Sequence, residues 1–316
     1  RRYGLHLWYD VRFDESVPVS RAADRFATID GVEYIEPVYV IKSTDADAVY
    51  VPDNVIYTPS VAVTRTEMPF NDPMLSQQWH YNNEGSIRRA VEGADIDLFE
   101  AWKTTAGDPA VIVAIMDGGV QWDHPDLAAN MWTNTAELNG SEGRDDDSNG
   151  YADDIHGFNF VDNTTLTIST KGDAPDHGTH VAGTVAAVNN NGTGVAGIAG
   201  GSGKNDGVKI MSCEILGKSE SGSSGAGRAG QIRAIKYAAD NGAVICQNSW
   251  GYTAGTISET DWKNGTYSAL TRAIQYFNKY AGLDENGNQT GPMAGGIVLF
   301  AAGNDASSEV CYPAAD

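Results

Sequence analysis

The chain has 316 residues, with 42 Asp and Glu against 21 Lys and Arg, a formal net charge of −21. Such acidity argues against nucleic acid or an anionic membrane surface as a partner. Three cysteines, Cys213, Cys246 and Cys311, are too few for a disulfide framework, and no apolar run of about 18 residues spans a membrane.

The length suits one large α/β domain plus a smaller unit. Residues 1–45 form that smaller unit. Gly4 to Phe13 alternates as a strand, with Leu5, Leu7, Tyr9 and Val11 on one face. Ser16 to Ala27 has Pro18 at a helix start and apolar spacing through Val19, Ala22, Ala23 and Phe26. Ile29-Asp30-Gly31 turns the chain, and Val32 to Ile41 is a second strand, with Pro37 suggesting an edge. Residues 46–68 lack a sustained period and read as a linker, and the larger domain runs over 69–316.

Ala110 to Met116 is seven apolar residues in a row, a strand buried on both faces. It stops at Asp117-Gly118-Gly119, and in open parallel sheets ligands bind beyond the carboxyl ends of the strands. An aspartate there is also a common turn former. Further on, Asp145-Asp146-Asp147-Ser148-Asn149-Gly150 follows the first half of a calcium-loop pattern, D-x-[DN]-x-[DN]-G. Oxygens at alternate positions face one point, and the glycine permits the turn. His156 stands where the twelfth-position glutamate belongs, so this is not an EF-hand. Asp145, Asp147, Asn149, Tyr151 and Asp154 are the candidate ligands, with a solvated acidic loop as the other reading.

His177 opens a helix whose first turns are Gly, Ala, Thr and Val, small enough for close packing. Val208 to Leu216 is a strand, and Gln231 to Asp240 a helix ended by Asn241-Gly242. Ala243 to Gln247 is another buried strand. Trp262 to Tyr280 is an amphipathic helix through Tyr267, Leu270, Ile274 and Phe277. Gly295 to Phe300 is a last buried strand, with Asn304 emerging at the same edge as Asp117. Strands alternating with helices predict a doubly wound, mostly parallel sheet with helices on both faces.

These segments resemble the subtilisin-like serine proteases. The matching motifs are Val113-Ala114-Ile115-Met116-Asp117-Gly118-Gly119 with His124-Pro125-Asp126-Leu127, then His177-Gly178-Thr179-His180-Val181-Ala182-Gly183-Thr184, then Asn248-Ser249-Trp250-Gly251, then Ala301-Ala302-Gly303-Asn304. The resemblance implies a serine endopeptidase in which Asp117 orients His177, His177 is the general base and Asn304 stabilises the oxyanion. It assigns His180 a structural place. It implies that polypeptide substrates lie against the segments holding Gly222, Ser249, Trp250 and Gly251, although Trp250 stands where many relatives have a smaller residue. It also implies structural calcium in the acidic loop, an inhibitory propeptide over residues 1–45 that ends near Glu36-Pro37, maturation within the linker, and a secreted or cell-surface bacterial setting.

The family's nucleophile opens a later helix in a Gly-Thr-Ser setting. No Gly-Thr-Ser occurs in the 316 residues, and Ser221, Ser223 and Ser224 lie in a Gly/Ser loop instead. The expectation is a catalytic serine beyond Asp316 and an inactive fragment without it. A non-catalytic relative that binds peptides in the same groove is the alternative. A nucleotide-binding protein is disfavoured, because Gly197-Ile198-Ala199-Gly200-Gly201 follows a helix and no phosphate-loop lysine pattern appears.

Overall fold

A computed structural model describes residues 5–14, 16–36, 38, 41–43, 68–85, 90–167, 175–217, 225–265, 267–304 and 306–316. The expected linker 46–68 therefore lies outside the described residues up to 67, as do Pro37 and Gly222.

In chain order the elements are α1 (Val19–Phe26), β1 (Lys42–Ser43), α2 (Leu98–Ala101), β2 (Ile112–Asp117), α3 (Thr135–Leu138), β3 (Gly157–Asn159), β4 (Thr164–Thr165), α4 (Pro175–Ala186), β5 (Lys209–Glu214), α5 (Gly227–Asp240), β6 (Ile245–Asn248), β7 (Trp250–Gly251), α6 (Glu259–Lys263), α7 (Ser268–Tyr280) and β8 (Ile297–Phe300). The main sheet has the order β4-β3-β5-β2-β6-β8. Every pairing is parallel except the β3–β4 edge. The expected α/β, doubly wound architecture is present.

Alternation along β2 assigns its side chains to two cores. Val113 and Ile115 pack with Ala182 and Ala186 of α4 and with Ile210. Ala114 and Met116 face the opposite core, built on Ile232 and Ile235 of α5 and on Leu270 and Phe277 of α7. The small residues of α4 serve this closeness, since Ala182 and Ala186 have no exposed surface. A run of apolar residues with no polar interruption is what a strand covered on both faces requires.

Four expectations need correction. Residues 5–13 are not a strand: Leu5–Leu7 is a short 3-10 helix, and Leu7, Tyr9 and Val11 are exposed. The described residues of 32–41 are not in a strand either; Lys42–Ser43, just beyond, pair with β7. A two-stranded unit buries too little to hold itself together. Instead this segment docks on the large domain: Leu5 joins the core beside α5 and α7, and the Asp10 carboxylate accepts from Ala229 N–H at the start of α5 (3.2 Å). The helix expected over 262–280 is two helices, α6 and α7, broken where Gly265 turns at φ +85°. Finally, β8 is not fully buried. Ile297 and Leu299 are about half exposed, and among the described residues β8 is the sheet's edge and pairs with β6 alone.

Candidate active site

Asp117 is the last residue of β2 and His177 lies in the first turn of α4, so strand end and helix start meet at one edge of the sheet. His177 Nδ1 lies 2.7 Å from Asp117 Oδ1 and 2.9 Å from Oδ2. Asp117 is 1% exposed and the His177 side chain 10%. The carboxylate also accepts from Gly118 N–H at 2.7 Å, which fixes its plane. Held this way, Nδ1 carries the proton and Nε2 is left as the base.

Glycines permit the approach. A Cβ on Gly178 would collide with the carbonyl oxygen of Gly119 and come within 3.2 Å of the Asp117 Cβ. Gly119 itself turns at φ +93°. Gln121 N–H then donates to Thr179 Oγ1 at 2.9 Å, tying the loop after β2 to the first turn of α4. His180 is exposed one turn further along the same helix. Asp126, in the motif that follows Asp117, is buried and structural: it accepts from Asn191 Nδ2 (2.8 Å) and Val195 N–H (3.0 Å).

Asn304 follows β8 by four residues and is exposed at the sheet edge that carries Asp117. Ser249 accepts from Gln247 Nε2 at 3.2 Å. Trp250 is fully buried with its ring edge-on to Phe300, 5.1 Å between centroids, which turns it into the core. Gly251 pairs with Lys42, and a Cβ there would press on Cys311 Sγ at 3.2 Å. The strand Trp250–Gly251 thus already carries an added antiparallel partner, Lys42–Ser43.

In the acidic loop, the carboxylates of Glu137, Asp147 and Asp154 lie within 4.8 Å of one another. Asp145 is spent on the loop itself, accepting from Asn149 N–H (3.1 Å) and Gly150 N–H (2.8 Å). Asn149 Oδ1 accepts from Tyr151 N–H, and its amide donates to Asp154 at 2.9 Å. The Tyr151 ring packs against Phe158, Phe160 and Tyr237. Burial pushes the Asp154 pKa up to about 6, against hydrogen bonds from Tyr237, Asn149 and Asn134. Three clustered carboxylates, two of them buried, suit a hard divalent cation.

Two site residues escape the sequence motifs. Glu137 has no local signature, since it joins the loop from α3 and accepts from the N–H groups of Asp146 (2.6 Å) and Asp153 (2.8 Å). Glu214 ends β5 beside Asp117 in register and lies against Gly119. Burial, with the Asp162 charge adding, raises its pKa to about 7. A carboxylate ending a buried strand was the signal available for it.

Residues 108–315 match the model of the Subtilase family. Subtilisin-like protease 1 of Plasmodium berghei is 33% identical over 184 residues, covering 58% of this chain and 26% of that protein. Thermitase of Thermoactinomyces vulgaris is 33% identical over 216 residues, 68% of this chain and 54% of the relative. The halolysin-like extracellular serine protease Nep of Natrialba magadii is 32% identical over 268 residues, 83% of this chain and 36% of the relative. The chain thus spans between about a quarter and about half of the length of these relatives.

Proposed function

The chain belongs to the subtilase family, and from that premise we propose that its protein is a secreted serine endopeptidase that works through an Asp-His-Ser triad. The observation that carries this is the pair of contacts, 2.7 and 2.9 Å, between His177 Nδ1 and the buried Asp117 carboxylate. Asp117 holds the imidazole in one tautomer and stabilises the cation formed in the reaction. His177 takes the proton of a serine supplied beyond Asp316 and returns it to the leaving amine. Asn304 donates to the tetrahedral oxyanion, a contribution whose loss costs about 10²–10³ in kcat.

Polypeptide substrate lies antiparallel on Trp250–Gly251, adding a strand whose backbone bonds supply affinity. Lys42–Ser43 occupy that place, which supports reading residues 1–45 as an inhibitory propeptide cleaved within 46–68. Glu137, Asp147 and Asp154 would hold a calcium ion, whose positive charge would offset their mutual repulsion in the loop between α3 and β3. The extracellular relative from Natrialba magadii supports secretion.

Fluorophosphonate labelling of the full-length protein, read by intact mass, tests the reading. One adduct that disappears in His177→Ala is expected. Absence of any adduct on folded protein would move the assignment to a non-catalytic peptide-binding relative.

A further inference from the structure

Arg228, in the first turn of α5, is a buried cation whose donors are unspent. Its side chain is 3% exposed, and none of its three guanidinium nitrogens makes a hydrogen bond. The guanidinium carbon lies 5.5 Å from the centre of the Tyr252 ring and 5.2 Å from that of Tyr267. Its anionic partner among the described residues is Glu36, whose Oε1 is 3.5 Å from Nε and makes no hydrogen bond, although the carboxylate accepts from Ala269 N–H. A buried guanidinium with every donor unspent carries a large desolvation cost, which one carboxylate at 3.5 Å offsets only in part. Two aromatic faces stabilise the cation without using its N–H groups. The result is a planar fork of donors held rigidly and left for a carboxylate.

The location gives the socket a purpose. Glu36 comes from the N-terminal segment, whereas Arg228, Tyr252 and Tyr267 all belong to the large domain. In the antiparallel pairing, Ser43 faces Trp250 and Lys42 faces Gly251. Moving toward the N-terminus of the added strand therefore moves toward Tyr252, the residue after β7 and the one beneath Arg228. Any peptide that lies on β7 in this direction runs its N-terminal side past the guanidinium.

We infer that Arg228, framed by Tyr252 and Tyr267, is a carboxylate socket of the peptide groove. It takes an aspartate or glutamate side chain of a bound polypeptide, N-terminal to the residues that pair with β7. Glu36 fills the socket in the present chain. The inference rests on the reading of β7 as the substrate strand and names the substrate class, acidic peptides, that the groove prefers.

The experiment compares matched peptides with Glu or Gln at successive positions N-terminal to the scissile bond, using the matured full-length protein. Both kcat/KM for cleavage and Kd for labelled uncleavable versions, by fluorescence anisotropy, are read. Glu is expected to win by about tenfold or more at one position in wild type, as for a hydrogen bond to a charged group. The preference should fall to parity in Arg228→Met and survive in part in Arg228→Lys. Parity between Glu and Gln in wild-type protein overturns the socket, whatever the variants do. Should the protein bind but not cleave, the endopeptidase reading fails, while the Glu/Gln ratio of Kd still decides the socket. The acid–amide comparison needs no substitution in the protein, so a misfolded variant cannot obscure it.

Discussion

Gly178 sits so close to Gly119 that no side chain fits between them: a Cβ on the helical residue would strike the carbonyl oxygen of the loop residue. The contact sets how deeply α4 enters the sheet edge, and with it the distance from His177 to Asp117. Gly178→Ala should push the first turn of α4 outward. We expect fluorophosphonate labelling of the full-length protein to slow at least about tenfold, with a stability loss of about 1–3 kcal/mol in urea denaturation. Unchanged labelling would show that the close approach is not what positions the imidazole.

Asp117→Asn preserves the size of the side chain while removing its charge and reversing its preferred tautomer partner. In the full-length protein kcat should fall by about 10⁴ while KM changes little, because orientation and cation stabilisation act in the transition state. A circular dichroism spectrum matching wild type separates this loss from unfolding. A drop below tenfold would detach Asp117 from catalysis.

Glu214 supplies a pH prediction. Its pKa of about 7 in the fold, against an ordinary glutamate value of 4.5, means the native state keeps a proton that the unfolded chain releases. Stability on this account is highest below about pH 4.5, declines as pH rises toward about 7, and stays reduced above that. Glu214→Gln should therefore raise stability at pH 8 by up to about 3 kcal/mol and do little at pH 4. Chemical denaturation at the two pH values gives the comparison, and equal shifts at both would contradict it.

Calcium should raise the melting temperature of wild-type protein, and chelation should lower it. Glu137→Gln and Asp154→Asn should each abolish the calcium-dependent shift, since both carboxylates belong to the cluster. Because Asp154 in the ion-free fold holds its proton up to about pH 6, calcium affinity should weaken as pH falls through that value. A melting curve indifferent to calcium at pH 8 would leave the cluster as a hydrogen-bonded loop anchor.

The sheet was legible because its strands are written as unbroken apolar runs, as in Val113-Ala114-Ile115-Met116, and these admit no other environment. Asp117 and His177 were legible for the same reason: each stands where such a run or a small-residue helix meets solvent. Glu137 and Arg228 were not, since their roles depend on partners brought from distant elements. The N-terminal segment misled because alternation such as Leu5, Leu7, Tyr9 and Val11 states a preference for a pleated surface without supplying a sheet to join. Likewise Trp262 to Tyr280 has one helical period, yet the glycine at 265 decides where the axis breaks.

The pairing pattern of the sheet also has a kinetic side. β2, the strand that ends in Asp117, finds one neighbour about a hundred residues downstream, Ile112 beside Lys209, and the other further still, Val113 beside Ile245. The β3–β4 hairpin lies at the sheet's edge and does not bring β2 to its partners, so loop-closure entropy is spent before parallel pairing repays it, and the chain must be slow to fold. During synthesis the central strand emerges long before either partner exists. The aspartate is therefore among the first functional groups made and among the last to find its place.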